Sequence, residues 1–357
     1  MKREAFLLAG VLSSLLGLAS VSIAQAVSLP ECVMDSQGAN NIIQSAPCGV
    51  YGIVNSRQVN ATGSTLDVTV EYMVHLPIGA PKAIVMLFAG GNGDTGIQGN
   101  DSTGEVTSAG NNFLVRSAQL FAEQGYLAVT IDRPSDTVGF NNAEFDQYRV
   151  SPSHAQDIIA VLSEVNSFYG TAALDLFLAG TSRGAISVVA QNMLGIGSML
   201  SAPVTSQSGQ NLWIGTDSPE PRLMPGFVTV PVEVLTHKRD GCFVSTPENS
   251  KKLHKDFTGA GVKSDFERVN GGFEVNPDPC QATTFHGFLG IENKAVNKVT
   301  HRMDHILKRH DKRHRRNTKP AAENTTVTIR PALAVDIDLA GLVSDLDGDA
   351  LGFSLPH

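Results

Sequence analysis

The sequence predicts an α/β fold in which a mostly parallel sheet is covered by helices on both faces. Three observations lead there. Continuous apolar runs such as KAIVMLFAG and YLAVTID suit strands buried on both sides rather than strands with one wet face. Segments with helical spacing of their apolar residues lie between them, among them NNFLVRSAQLFAEQG and SPSHAQDIIAVLSEVNSFYG. The two kinds alternate along the chain, as strand–helix–strand crossovers do.

GVYGIVNSRQV and STLDVTVEYMVHLP come first, the second alternating and β-branched like a half-buried strand. After KAIVMLFAG, a helix and YLAVTID comes the helix of SPSHAQDIIAVLSEVNSFYG, opened by Ser and Pro. ALDLFLAG is then a strand, GAISVVAQNML a helix, SMLSAP a short strand and VPVEVLTH a fully apolar one. PENSKKLHKDFTGAG begins with Pro and ends with Gly, the asymmetry of a helix. KSDFERVNGG is the last strand, and a helix is expected from His286 toward Lys308. Sites in open sheets of this kind lie beyond the carboxyl ends of the strands.

The 357 residues allow one large domain with an appendage. A hydrophobic content of 42% with 34 glycines fits a packed core joined by tight turns, and a net charge of −8 argues against a nucleic-acid partner. The opening MKREAFLLAGVLSSLLGLASVSIAQA has a basic start, a short apolar run and a small-residue site ending at Ala26, the pattern of a cleavable secretory signal over residues 1–26. Its apolar run is broken by Ser and Gly, short of the ~20 residues a spanning helix needs. The expected location is therefore secreted or periplasmic. In that compartment the 4 cysteines are expected to form disulfides, and sequence proximity favours Cys32–Cys48 and Cys242–Cys280.

Gly180-Thr181-Ser182-Arg183-Gly184 matches G-x-S-x-G between an apolar run and a helical one. The motif alone is weak, but a strand before and a helix after are what a serine on a sharp, exposed turn requires. A side chain at Gly180 or Gly184 would collide with the neighbouring strand or helix. A nucleophilic serine needs a base and an orienting acid, expected later in the chain in the order acid, then histidine. Asp240, just past VPVEVLTH, is the first choice of acid; Asp217 is the runner-up, and Asp265 lies inside a strand. His286 in TTFHGFLG is the preferred histidine over His237 at a strand end, His254 in a surface helix and His301 in a charged one. A Cys242–Cys280 bridge would tie the Asp240 loop to the His286 loop. Donors for an oxyanion are expected from the backbone N–H of Arg183 and from LFAGGNGDTG, with Gly91 ahead of Gly90. No phosphate-cradle motif is present, so a nucleotide is not expected.

With these residues in place, residues 48 to 310 resemble the α/β-hydrolase family, through GTSRG, AGGNG, VLTHKRDGC and FHG. TIDRPSD followed by SPSHAQDI is similar to a group of secreted bacterial hydrolases of that fold. The resemblance implies cleavage of an ester or related acyl bond through an acyl-enzyme, without a cofactor. The interval SQSGQNLWIGTDSPEPRLMPGF is too short for a large cap. Its Leu212, Trp213, Leu223, Met224 and Phe227 either line an acyl pocket or pack the loop. Asp132, Arg133 and Asp136 either face the cleft or form structural ion pairs.

KVTHRMDHILKRHDKRHRRNTK turns basic, with His301 and His305, and His310 and His314, at i,i+4. Without a carboxylate or cysteine to complete a metal site, a solvated basic helix with weak contact to anionic surfaces is the better reading. Residues 27–310 are thus read as the main domain, 311–323 as a basic linker and 324–357 as a tail. VSDLDGDALGFS in that tail resembles a truncated cadherin-like or immunoglobulin-like bacterial repeat. Its Asp345, Asp347 and Asp349 depart from the EF-hand calcium pattern. The expected activity is that of a serine hydrolase acting on a small-molecule or acyl-ester substrate. A peptidase or acyltransferase with the same residues, and a non-catalytic surface protein on the same scaffold, are the alternatives.

Overall fold

The computed structural model describes residues 49–61, 64–99, 106–108, 110–205 and 210–314, and the backbone of two antiparallel pairs of two-residue strands. Those pairs join Glu31–Cys32 to Ala46–Pro47, and Ala321–Ala322 to Val343–Ser344. The expected signal segment, the Cys32–Cys48 bridge and the aspartates of the tail lie outside the described residues.

Eight strands build one sheet: β1 (Val50–Ala61), β2 (Ser64–His75), β3 (Ile84–Phe88), β4 (Leu127–Ile131), β5 (Leu176–Thr181), β6 (Gly197–Ser201), β7 (Val232–His237) and β8 (Ser264–Val269). Their order across the sheet is β1-β2-β4-β3-β5-β6-β7-β8. β1 and β2 form an antiparallel hairpin, β2 runs antiparallel to β4, and every pairing from β4 to β8 is parallel. This is the α/β-hydrolase fold, with the strand order of this sheet reversed between β3 and β4. β3 and β5, which carry the glycine-rich loop and the serine turn, are neighbours at the centre of the sheet.

The helices are α1 (Phe113–Arg116), α2 (Ala118–Glu123), α3 (Asn142–Arg149), α4 (Pro152–Tyr169), α5 (Gly184–Ala190), α6 (Pro247–Gly259) and α7 (Glu292–His314). Side chains alternate across β3. Ile84, Met86 and Phe88 pack with Ile158 and Val161 of α4 and Ile186 of α5. Val85 and Leu87 point the other way, among Phe113, Phe121 and Val299 of α1, α2 and α7. Both faces of β3 to β5 are buried, which is why those strands read as unbroken apolar runs.

Three elements differ from the sequence expectation. The helix of NNFLVRSAQLFAEQG is two short helices parted at Ser117, whose φ of −106° and ψ of 3° leave the helical region. The last helix begins at Glu292 rather than near His286, because Phe288 at φ 59° and Gly290 at φ 78° turn the chain into a compact loop first. It also continues to His314, beyond Lys308. α3 was unanticipated although it has a clear start. The Asn141 side chain accepts the N–H groups of Ala143 and Glu144, and Glu144 accepts the N–H of Asn141.

Candidate active site

Ser182 occupies the turn between β5 and α5 with φ at 54°, a left-handed conformation that a non-glycine residue adopts only when its surroundings enforce it. The enforcement is visible. The Ser182 N–H donates to the carbonyl of Ser201 at the end of β6 (2.9 Å), and its own carbonyl accepts from Ala185 at the start of α5 (3.1 Å). A Cβ on Gly180 would stand 2.4 Å from the Gly184 carbonyl oxygen, and one on Gly184 only 2.1 Å from that of Phe88. The two glycines are therefore required by close approach of backbone to backbone. The remaining left-handed non-glycine residues among those described, Ala202 and Phe288, flank the same region, one after β6 and one two residues past His286.

Asp240 follows β7 and His286 follows β8; both are buried. His286 Nδ1 lies 3.0 Å from Asp240 Oδ2. Asp240 Oδ1 accepts the N–H of Cys242 (2.9 Å), which fixes the carboxylate plane. The Ser245 hydroxyl donates to Asp240 Oδ2 (3.2 Å) and sits 2.9 Å from His286 Nδ1. With Nδ1–H donated toward Asp240, Nε2 is left as an acceptor. Cys242 and Cys280 form a disulfide that joins the two loops, as proximity in the sequence suggested. Ser182 and His286 line one cleft of about 530 Å³, together with Gly90, Gly91, Arg183 and the disulfide.

The glycine-rich loop after β3 forms the facing wall. Gly91 lies at φ 57°, and the Gly93 N–H closes a turn onto the Gly90 carbonyl (3.1 Å). Beneath it is Arg149, which is 1% exposed. Its guanidinium donates to the carbonyls of Ala89 (2.8 Å) and Gly91 (3.3 Å) and to Ser187 Oγ on α5 (2.8 Å). Because a trans peptide points its C=O and N–H in opposite directions, the Gly90 N–H is turned away from Arg149. Asp146 on the same helix is fully buried and pairs with the Arg183 side chain. Burial pushes its carboxyl up to about 6, against the opposing pull of Arg183 and Arg149. Burial likewise lowers Arg149, to about 10.

The competing candidates are elsewhere. Asp217 accepts from Trp213 Nε1 (3.2 Å), and Asp265 lies on β8 and pairs with Arg302. His237 contacts the Gly271 carbonyl (2.9 Å) and stacks on Phe285. His254 contacts Ser264 Oγ (3.0 Å), and His301 faces His305 across one turn of α7. Leu212 and Leu223 are buried in the core with Leu200, Val232 and Val234 and do not line the cleft, whose border this loop reaches through Gln210. Arg133 pairs with Asp94 (3.0 Å) and Asp136 with Arg57 (2.8 Å), while Asp132 accepts the N–H of Thr95 (3.0 Å). Among the described residues no three metal-binding side chains cluster, and no helix is long and apolar enough to cross a membrane.

No family model matches the sequence, and no curated protein matches it. Several solved structures are similar in chain course. An α/β serine hydrolase without a lid from Xanthomonas campestris is 16% identical, with 72% of this chain and 97% of that one covered and a TM-score of 0.42. An esterase from Thermogutta terrifontis is 14% identical over 73% of this chain and 92% of that one, with a TM-score of 0.43. Est1E from Butyrivibrio proteoclasticus is 12% identical over 71% and 98%, with a TM-score of 0.42. The strand order, rather than these distant likenesses, defines the fold, and the chemistry of the cleft rests on its own residues.

Proposed function

We propose that the chain is an exported serine hydrolase of the α/β-hydrolase family that cleaves carboxylic esters. Ser182 attacks the acyl carbon while His286 Nε2 takes the hydroxyl proton. Asp240 holds the ring and stabilises the imidazolium that forms. The oxyanion is received by the N–H of Arg183 and by Gly90 and Gly91. Collapse expels the alcohol, to which His286 returns the proton. Water then hydrolyses the acyl-enzyme with His286 acting as base again, so the cycle closes without a cofactor.

The observation that carries this reading is the left-handed Ser182 in one cleft with a histidine whose Nδ1 is engaged by a buried aspartate. The opening 26 residues, with their signal-like pattern, and the Cys242–Cys280 disulfide support export. Residues 27–310 form the hydrolase domain in this reading, 311–323 a linker and 324–357 a separate tail.

Covalent labelling by a fluorophosphonate tests it, since the reagent reports on a serine activated by its base. An adduct mapped to Ser182, absent in His286→Ala, is expected. Ser182→Ala should lower ester turnover by about 10⁶-fold, the scale for losing a triad nucleophile. A folded protein that takes no label would sink the hydrolase reading in favour of a non-catalytic scaffold.

A further inference from the structure

Asn112 caps α1, and the cap fixes the orientation of its carboxamide. Oδ1 accepts the N–H of Leu114 (3.0 Å), so the amide nitrogen Nδ2 must occupy the opposite side; the flipped amide would set donor against donor. That side faces the cleft. Nδ2 lies 3.3 Å from the point that a Cβ on Gly90 would occupy, and the same point is 3.1 Å from Cβ of Ser182. Gly90 is not among the glycines with positive φ, so its missing side chain is a matter of room rather than of backbone conformation. The room it leaves is bounded by the Thr181 carbonyl oxygen at 3.0 Å, by Ser182 and by the Asn112 amide. Among the described residues none accepts a hydrogen bond from Nδ2, although the residue is half-buried in the cleft wall.

The helix that carries Asn112 is itself anchored to the histidine loop. Arg116, one turn on, donates to the carbonyls of Asn111 and Gly287 and pairs with Glu292 at 2.9 Å. Asn112 is thereby held in register with His286 on one side and with Ser182 on the other, its rotamer locked by the cap. A donor fixed in this way needs no reorganisation when charge develops nearby.

We propose that Asn112 is a catalytic residue, its Nδ2–H group donating to the substrate carbonyl oxygen as that oxygen becomes the oxyanion. The proposal rests on the serine-hydrolase reading of Ser182. It adds a side-chain donor to the backbone N–H groups already assigned to the oxyanion. A hydrogen bond from a neutral amide strengthens as its acceptor gains negative charge, so Asn112 acts on the transition state more than on the bound ester.

Asn112→Asp and Asn112→Ser test this, because both side chains are good helix caps and both lack the amide donor. Hydrolysis of p-nitrophenyl acetate should show kcat reduced about 100-fold in each, with KM within about threefold of wild type, the signature of a lost oxyanion donor. Thermal midpoints should stay near wild type, since the cap is kept. If the wild type labels at Ser182 and both variants retain its kcat, the proposal is overturned and Asn112 is a cap alone. A change confined to KM or to the thermal midpoint overturns it equally. A wild type that neither labels nor turns over ester fails at the serine-hydrolase reading, and the proposal falls with it.

Discussion

The two sides of the cleft are held by different means. Ser182 stands at the centre of the sheet, where its position is set by backbone alone. Gly180 and Gly184 let strand and helix touch, and peptide hydrogen bonds to Ser201 and Ala185 close the turn. Asp240 and His286 come from loops on the outer half of the sheet, 46 residues apart, and are held by side chains. A disulfide, the Ser245 hydroxyl and one N–H do there what steric closeness does at the serine. The serine side therefore tolerates almost no added atom, whereas the histidine side depends on particular links that chemistry can remove one at a time.

Removing the covalent link should give the largest effect on stability. In the Cys242→Ala/Cys280→Ala double variant the unfolded chain regains the freedom of a loop spanning 38 residues. Loop-closure entropy puts the loss at about 4 kcal/mol. Guanidinium unfolding of the oxidised wild type against the variant measures it. Ester turnover at a temperature where both are folded should also drop, because the Asp240 and His286 loops are no longer tied. A loss below about 1 kcal/mol with turnover unchanged would erase the contrast between the two sides.

On the serine side the sharpest probe is a single methyl. Gly184→Ala places its Cβ against the Phe88 carbonyl oxygen, and backbone on both sides leaves no flexible atom to yield. A destabilisation of about 3 kcal/mol is expected from overpacking of this kind, read from the urea midpoint at constant m-value. A tolerated alanine would mean that the turn has slack, and that the left-handed Ser182 is not enforced by its neighbours.

The same contrast explains what the sequence could disclose. Strands β3 to β7 were readable because burial on both faces leaves an unbroken apolar signal, and the serine turn because glycine spacing is a local backbone requirement. Asp240 and His286 were reachable by residue type and by their place after strands, and the structure joins them by a hydrogen bond. Arg149 was not. Its partners Ala89 and Ser187 lie 60 and 38 residues away, and nothing nearby in the chain marks an arginine as buried. Ser245 and Asn112 were missed for a related reason, since a lone polar residue gains meaning only once its neighbours in space are known. The turn before α7 was misread because positive φ at Phe288 is imposed by tertiary packing, with no glycine at that position to announce it.

The effect that is smallest at each step, because it is spread over several pH units, concerns the charge on the histidine side of the sheet. Glu233 on β7 is 1% exposed, level with Asp265 of β8, and burial pushes its carboxyl up to about 8 although Arg302 pulls the other way. In the unfolded chain this carboxyl ionises near its ordinary 4.5, whereas the native state keeps the proton until about 8. Between those values the native state binds more protons, so stability falls as pH rises and levels off above 8. The slope from this one group is at most about 1.4 kcal/mol per pH unit. Glu233→Gln keeps the shape and removes the titration, so its stability relative to wild type should grow from pH 5 to pH 8. The buried His75 and His154, lowered to about 4 and about 3, titrate alike in both proteins and cancel in the difference. Urea midpoints that track each other across that range would show Glu233 to be ionised in the native state at neutral pH. Arg302 would then hold a buried carboxylate on β7, and the histidine side of the sheet would depend on an ion pair as well as on its disulfide.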